Sequence, residues 1–249
     1  MKLLILGGTS DAKQLALTLH KSGIEVIYSI AGIVRQPDLP CKVLSGGFTK
    51  HGGLTRYLRE NKITALLNAT HPFAQKMSVA AQRSADQTAV LFWRYQRPNW
   101  QVTAEDNWSF YEDWGQLLRQ LTPFMSVFLS QGQLTESMLV ALLIHRKESK
   151  YFLHRNAFIP SHATPKWMSW EHGIGPFNLD REVALLQHYK IDAIVSKHSG
   201  GALPSKMLAA RALKLPVFLL ERPLLLASKN EISGIDQLAN TIITSAKPS

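Results

Sequence analysis

The chain reads as an α/β protein made of two Rossmann-like, doubly wound parallel-sheet halves facing each other across a cleft. Three observations carry that reading. Short apolar runs alternate with segments of helical apolar spacing, the βαβ rhythm of a parallel sheet covered on both faces. The rhythm pauses once, between Pro98 and about Thr122, and then restarts. The loops after several strands hold glycine, histidine, lysine or arginine, and ligands of such sheets bind outside the carboxyl ends of the strands. The expected division is therefore a first domain over 1–97, a crossover over 98–122 and a second domain over 123–249.

Each element has a local reason. Lys2-Leu3-Leu4-Ile5-Leu6 is a buried strand stopped by Gly7-Gly8. Apolar residues at 12, 15, 16 and 19 then mark a helix, which Thr9, Ser10 or Asp11 is placed to cap. Such a glycine turn before a helix builds a phosphate cradle from backbone N–H groups and the helix dipole. A tight βα turn uses glycines as well, and the third glycine of the full G-x-G-x-x-G fingerprint is missing, so both readings stand. A second strand follows over 24–30. No acidic residue sits at its tip to take ribose hydroxyls; Ser29 and Arg35 lie nearby, and Arg35 is either a partner for the 2′-phosphate of NADP or a plain loop charge.

Val43-Leu44 leads into Ser45-Gly46-Gly47-Phe48, and a helix opens after Gly52-Gly53. A strand over 63–68 ends in Ala69-Thr70-His71-Pro72-Phe73-Ala74, with Pro72 suited to the first turn of a helix running to about Ser84. Residues 90–94 form the next strand, which Arg97-Pro98 ends. In the second half, strands are expected over 125–129, 151–156, 193–196 and 217–220, and helices over 134–143, 179–189, 204–213 and 235–243. A loop runs from residue 156 to Gly175-Pro176-Phe177, and the strand over 193–196 ends in Lys197-His198-Ser199-Gly200-Gly201.

Composition narrows the partners. The 249 residues suffice for one large or two small α/β domains. No apolar run reaches the ~20 residues that span a bilayer. The start, a single Lys and a short apolar run ahead of Gly7-Gly8, lacks a signal peptide's cleavage region. Cys41 alone makes no intramolecular disulfide and fits a reducing cytoplasm. Neither Cys-x-x-Cys nor His-Glu-x-x-His occurs, so no metal is expected. A net charge of +10 favours nucleic acid, an anionic membrane surface or a polyacidic small molecule. The basic residues are scattered, which favours the small ligand over nucleic acid or membrane. A solvated basic surface is the plain alternative. No obligate protein partner is evident.

Three strand-end loops stand out: Gly7-Gly8-Thr9, the stretch from Thr70 to Ala74, and the stretch from Lys197 to Gly201. Singly, each has a bland reading: His71 orients a backbone carbonyl, Lys197 snorkels from a strand end, and the glycines make turns. Together they gather hydroxyls, imidazoles, a cation and exposed N–H groups at the strand ends of one architecture.

The same residues resemble the precorrin-6A reductases of cobalamin biosynthesis. The matching segments run through nearly the whole chain: Leu4-Ile5-Leu6-Gly7-Gly8-Thr9, Ser29-Ile30-Ala31-Gly32, Gly46-Gly47-Phe48 with Gly53-Leu54, and Asn68 to Ala74. They continue with Gly175-Pro176-Phe177, Lys197 to Gly201, Lys206 with Ala209-Ala210-Arg211, and Pro216-Val217 with Arg222-Pro223. The resemblance implies NADPH-dependent reduction of one ring carbon–carbon double bond of precorrin-6A, or of its cobalt form, to precorrin-6B. The substrate is a polycarboxylated tetrapyrrole, which suits a basic protein.

On that reading Gly7, Gly8, Thr9 and Ser10 hold the NADPH pyrophosphate, and Ser29 and Arg35 approach the 2′-phosphate. Thr70, His71 and Pro72 border the nicotinamide. Lys197, His198, Ser199, Gly200 and Gly201 bind substrate carboxylates with Arg222 in support. The proton donor is His71, His198, Lys197 or water. Two family arginines are missing: Ser130-Gln131-Gly132-Gln133 stands where a Thr-Gly-Arg triplet is usual, and Ile174 precedes Gly-Pro-Phe. His198 stands where Asn is more common. The rival readings are a two-domain nucleotide-sugar glycosyltransferase, whose diphosphate the His-Ser-Gly-Gly loop would cradle, and a basic non-catalytic binder of anionic ligands.

Overall fold

The computed structural model describes residues 1–32, 37–146, 149–158 and 164–247. The first half opens with β1 (Lys2–Leu6), α1 (Ser10–Lys21), β2 (Glu25–Ile30) and β3 (Lys42–Ser45). A 3-10 turn (Phe48–His51), α2 (Leu54–Glu60), β4 (Ala65–Asn68), α3 (Gln75–Thr88) and β5 (Leu91–Tyr95) follow. Then come β6 (Trp108–Tyr111), α4 (Trp114–Gln120), β7 (Ser126–Ser130), α5 (Glu136–His145), β8 (Tyr151–Asn156) and β9 (Met168–His172). The chain continues through α6 (Leu179–His188), β10 (Ala193–Lys197), α7 (Ser205–Ala212), β11 (Val217–Leu220), β12 (Glu231–Ile232) and α8 (Ile235–Ala246). Among the described residues, no helix is long and apolar enough to cross a membrane.

Two parallel six-stranded sheets result, ordered β12-β5-β4-β1-β2-β3 and β6-β11-β10-β7-β8-β9. In the first, Leu3 and Ile5 turn one way, against Leu15 and Leu19 of α1 and Leu238 and Ile242 of α8. Leu4 and Leu6 turn the other way, against Leu58 of α2 and Ala81 and Ala85 of α3. This two-sided burial is why the strands read as continuous apolar runs. The second sheet is covered likewise, by α4 and α5 on one face and α6 and α7 on the other.

The units divide otherwise than the sequence suggests: one is Met1–Pro98 with Pro223–Ser249, the other Asn99–Arg222. The stretch expected as a crossover is structural. β6 pairs in parallel with β11, Asp113 caps α4, and Arg211 of α7 grips Asp106 through Nε and Nη2 at 2.7 and 2.9 Å. At the other end the chain leaves the second unit after Arg222. β12 joins the edge of β5, fixed by the Arg94–Glu231 ion pair, and α8 buries Leu238, Ala239 and Ile242 beside α1. β9 also forms inside a stretch expected as loop, and α3 begins at Gln75 rather than at Pro72. The Ala74 N–H bonds the His71 carbonyl at 2.8 Å, closing a turn before the helix starts.

In the first sheet the chain winds outward from β1 to β3, then returns to place β4 on the other side of β1. The tips of β1 and β4 therefore flank the switch point, where doubly wound sheets bind ligands.

Candidate active site

At the first unit's switch point, the loop after β1 is shaped by what lies beneath it. Gly7 donates its N–H to the Ser29 carbonyl, and the Tyr28 ring packs so closely that a Cβ on Gly7 would sit 2.2 Å from Cζ. Gly8 takes φ +106°, a left-handed value, and gives its N–H to the Tyr28 hydroxyl at 2.9 Å. The outer side is open: nothing lies within 4 Å of where a Gly8 Cβ would be. Thr9 caps α1, its Oγ1 accepting from the Ala12 N–H at 3.1 Å and donating to the Ala69 carbonyl at 3.2 Å. The same hydroxyl thus ties the glycine loop to the β4 loop. Ser10 and Asp11 begin the helix, where amides lack intrahelical acceptors and the dipole is positive.

The β4 loop is organised by Asn68. Its side-chain oxygen accepts from the Thr70 hydroxyl and N–H at 2.8 and 3.2 Å, while its NH₂ bonds Ser78 of α3 at 3.0 Å. His71 accepts the Phe73 N–H at Nδ1, 3.3 Å away, so the neutral ring carries its proton on Nε2. Pro72 lies in the turn that follows. The bonds of Ala69 to Thr9 and to the Leu6 carbonyl place the start of the loop that carries Thr70 and His71 against the one that carries Gly7, Gly8, Thr9 and Ser10. Ser29 is buried at the carboxyl end of β2, next to Leu6 of β1 and Leu44 of β3. Arg35 lies outside the described residues.

Two groups here escaped the sequence reading. Arg97 holds Asp11 with two hydrogen bonds, and Tyr28 supports the loop from below. The signal for Tyr28 was period two along β2, which turns Tyr28 and Val26 to the α1 face. Arg97 left no such signal, because its partner lies eighty-six residues away.

In the second unit, Lys197 ends β10 with its ammonium over the loop after β7, where a Cβ on Gly132 would lie 3.7 Å from Nζ. Burial pushes the Lys197 pKa down. Lys206 of α7 donates to the Ser130 hydroxyl and carbonyl at 2.9 and 3.2 Å. Desolvation pulls its pKa down to about 8, opposed by the Glu182 charge and aided by Arg155 and Lys197. His154 bonds the Gly132 carbonyl at 2.8 Å, and Tyr111 donates to Gln131 at 2.7 Å, so Lys206, His154 and Tyr111 brace this loop from neighbouring elements. Ser199 folds back on the Lys197 carbonyl, and Gly200 and Gly201 take φ +65° and +71°, values that side chains resist.

His198 is placed differently from Lys197. Only 9% exposed, it lies between Trp100 and Phe110, with ring centroids 5.4 and 5.6 Å away. Burial is the main cause that lowers its pKa; the Arg222 charge adds to this, and a bond to the Trp100 carbonyl opposes it. Its ring packs, whereas the Lys197 head group faces a polar loop. Arg222 donates to the His198 carbonyl at 2.8 Å and so fixes the backbone here.

A parallel α/β unit with a glycine turn onto a helix N-terminus at the switch point, joined to a second parallel unit with cations at its strand ends, defines the class of two-unit, Rossmann-like proteins. Residues 2–242 match the family model described as precorrin-6x reductase CbiJ/CobK, and the chain belongs to that family. A precorrin-6A reductase of Rhodococcus erythropolis is 33% identical over 226 residues, 89% of each chain. Another, from Rhodobacter capsulatus, is 34% identical over 230 residues, 89% of this chain and 88% of that one. A cobalt-precorrin-6A reductase of Priestia megaterium is 28% identical over 244 residues, covering 89% and 90%. The solved structure of CobK precorrin-6A reductase superposes with a TM-score of 0.84 at 30% identity, covering 99% of this chain and 98% of that one.

Proposed function

We propose that this protein reduces one ring carbon–carbon double bond of precorrin-6A to give precorrin-6B in cobalamin biosynthesis, drawing the hydride from NADPH bound at the Gly7–Ser10 loop. Family membership supports the reaction, and a reductase of this kind needs a reducing cofactor. The observation that carries the cofactor reading is the open glycine turn. Gly8 presents bare backbone at φ +106°, and the N–H groups of Ser10 and Asp11 stand at the positive end of α1. A pyrophosphate fits that cradle. The absence of an acidic residue at the β2 tip suits NADPH over NADH, with Ser29 on the 2′-phosphate side.

When bound, NADPH supplies the hydride; the chain's own residues supply position, charge and a proton path. His71, with its proton on Nε2, borders the nicotinamide with Thr70 and Pro72. Lys197, Ser199 and the Gly200-Gly201 amides take substrate carboxylates, with Arg222 holding the His198 carbonyl between them. His198 belongs to the packing beneath them. A proton must accompany the hydride, and ordered water or His71 delivers it. The chain works in the cytoplasm on this reading.

The test is a titration of the purified protein with NADPH, NADH and UDP, read as energy transfer from the native tryptophans. Transfer to NADPH, stronger than to NADH, supports the reading. Silence with both nicotinamides and a response to UDP contradicts it and favours a nucleotide-sugar enzyme.

A further inference from the structure

Asp11 stands in the first turn of α1, three residues beyond Gly8, where a carboxylate suits the helix but opposes an incoming phosphate. Arg97 closes on it from the end of β5: Nε lies 2.6 Å from Oδ2 and Nη2 3.1 Å from Oδ1, the fork-on-carboxylate geometry of a strong pair. The same Nη2 is 3.3 Å from the Ser10 hydroxyl. Both side chains are only 14% exposed, so water screens the pair weakly. Burial pushes the Asp11 carboxyl up, but its bonds to Arg97, Ser10 and Tyr95 and the Arg97 charge outweigh this and hold it below its usual value. The carboxylate is therefore ionised at neutral pH and needs a cancelling charge at this spot.

We infer that Arg97 is a positioning residue of the dinucleotide site, cancelling the Asp11 carboxylate and fixing the Ser10 hydroxyl so that the start of α1 presents its N–H dipoles to the pyrophosphate without an opposing charge. This rests on the reading of Gly7–Ser10 as the pyrophosphate cradle. It goes beyond that reading by assigning the cradle's sign to a residue outside the glycine motif. Because the pyrophosphate is common to NADPH and NADH, Arg97 serves both alike.

The experiment measures dissociation constants for NADPH and NADH by tryptophan energy transfer, with an unfolding temperature for each protein, in wild type, R97Q, D11N and D11N/R97Q. R97Q is expected to weaken both dinucleotides by about tenfold, the effect of one uncancelled charge near the phosphates. D11N/R97Q is expected to recover to within about threefold of wild type, although its unfolding temperature stays lowered because the hydrogen bonds are gone. D11N alone binds at least as tightly as wild type. A double variant as weak as R97Q, beside a wild type that binds, overturns the inference. So does loss confined to NADPH, which makes Arg97 a reader of the 2′-phosphate. Should R97Q fail to fold, D11N decides: weaker binding by D11N overturns the inference. A wild type that binds neither dinucleotide overturns the cradle reading itself, and this inference falls with it.

Discussion

The ring of Tyr28 lies directly against the backbone of Gly7, so close that a Cβ there would meet Cζ at 2.2 Å, while its hydroxyl takes the Gly8 N–H at 2.9 Å. The glycine loop is thus a lid over a buried phenol. Ser10 and Asp11, in the first turn of α1, are left with N–H groups that have no intrahelical acceptor. Gly7→Ala is expected to destabilise the protein by about 2–3 kcal/mol, because the ring must shift within a packed core. Tyr28→Phe keeps the packing and loses the bond, at about 1 kcal/mol. Urea unfolding of both variants checks this, and a Gly7→Ala protein as stable as wild type contradicts the packing account.

A second relationship lies in the core of the second unit. Arg155 reaches Glu182 at 2.6 Å, with side chains 4% and 0% exposed, and its guanidinium lies over Phe128 and Phe177 at 4.9 and 4.2 Å. Arg155→Met leaves the buried Glu182 carboxylate without its guanidinium partner, and is expected to cost about 3–5 kcal/mol. Removing both charges, in R155M/E182M, costs less than the two single changes added together. Equilibrium unfolding of the four proteins measures the difference.

Acid is expected to weaken the second unit through two histidines. Burial lowers the pKa of His154, against its bond to the Gly132 carbonyl, and burial together with the Arg222 charge lowers that of His198. The unfolded chain protonates these rings near pH 6.5 and the folded chain only below that. Their contribution is therefore complete above pH about 6.5 and is lost as pH falls from there toward the folded values. Urea midpoints at pH about 7.5 and about 5.5 reveal the loss, and His198→Phe reduces it. A midpoint that rises on acidification contradicts the buried placement.

Lys197 and the proposed cofactor loop belong to different units, so their losses separate. Lys197→Met is expected to raise the KM for the tetrapyrrole about tenfold, the loss of one charge-assisted contact to a carboxylate. The NADPH dissociation constant stays unchanged. Lys197→Arg retains most of the affinity. Steady-state kinetics with a parallel NADPH titration distinguishes this from general damage, which moves both constants.

Much of the fold is legible because its elements are locally specified. The apolar run over Leu3–Leu6, the glycines that stop it and the spacing at 12, 15, 16 and 19 need no distant partner to be read. The exchange at the chain's end depends on something no local pattern holds, namely which sheet edge is still open when the chain leaves Arg222. β12 has only two residues, and its fit beside β5 depends on Arg94 and Glu231 meeting across 137 positions. β6 is a short strand in a stretch whose tryptophans and acids mask its pattern. The candidate loops are local motifs and so are legible in the sequence, whereas Arg97 is known only by its distant partner. His198 shows a third limit. Ile194 and Val195 already face opposite cores, so Lys197 and His198 leave the strand on opposite sides, and a motif read as one unit is divided by the pleat.

The most direct test follows the hydride. Precorrin-6A is incubated with the enzyme and NADPH carrying deuterium at both transferable ring positions, and the product is weighed by mass spectrometry. The expected product is richer by two hydrogens, one of them deuterium, and forms in step with NADPH consumption. A reduced product without deuterium, or reduction that proceeds while NADPH is untouched, contradicts it.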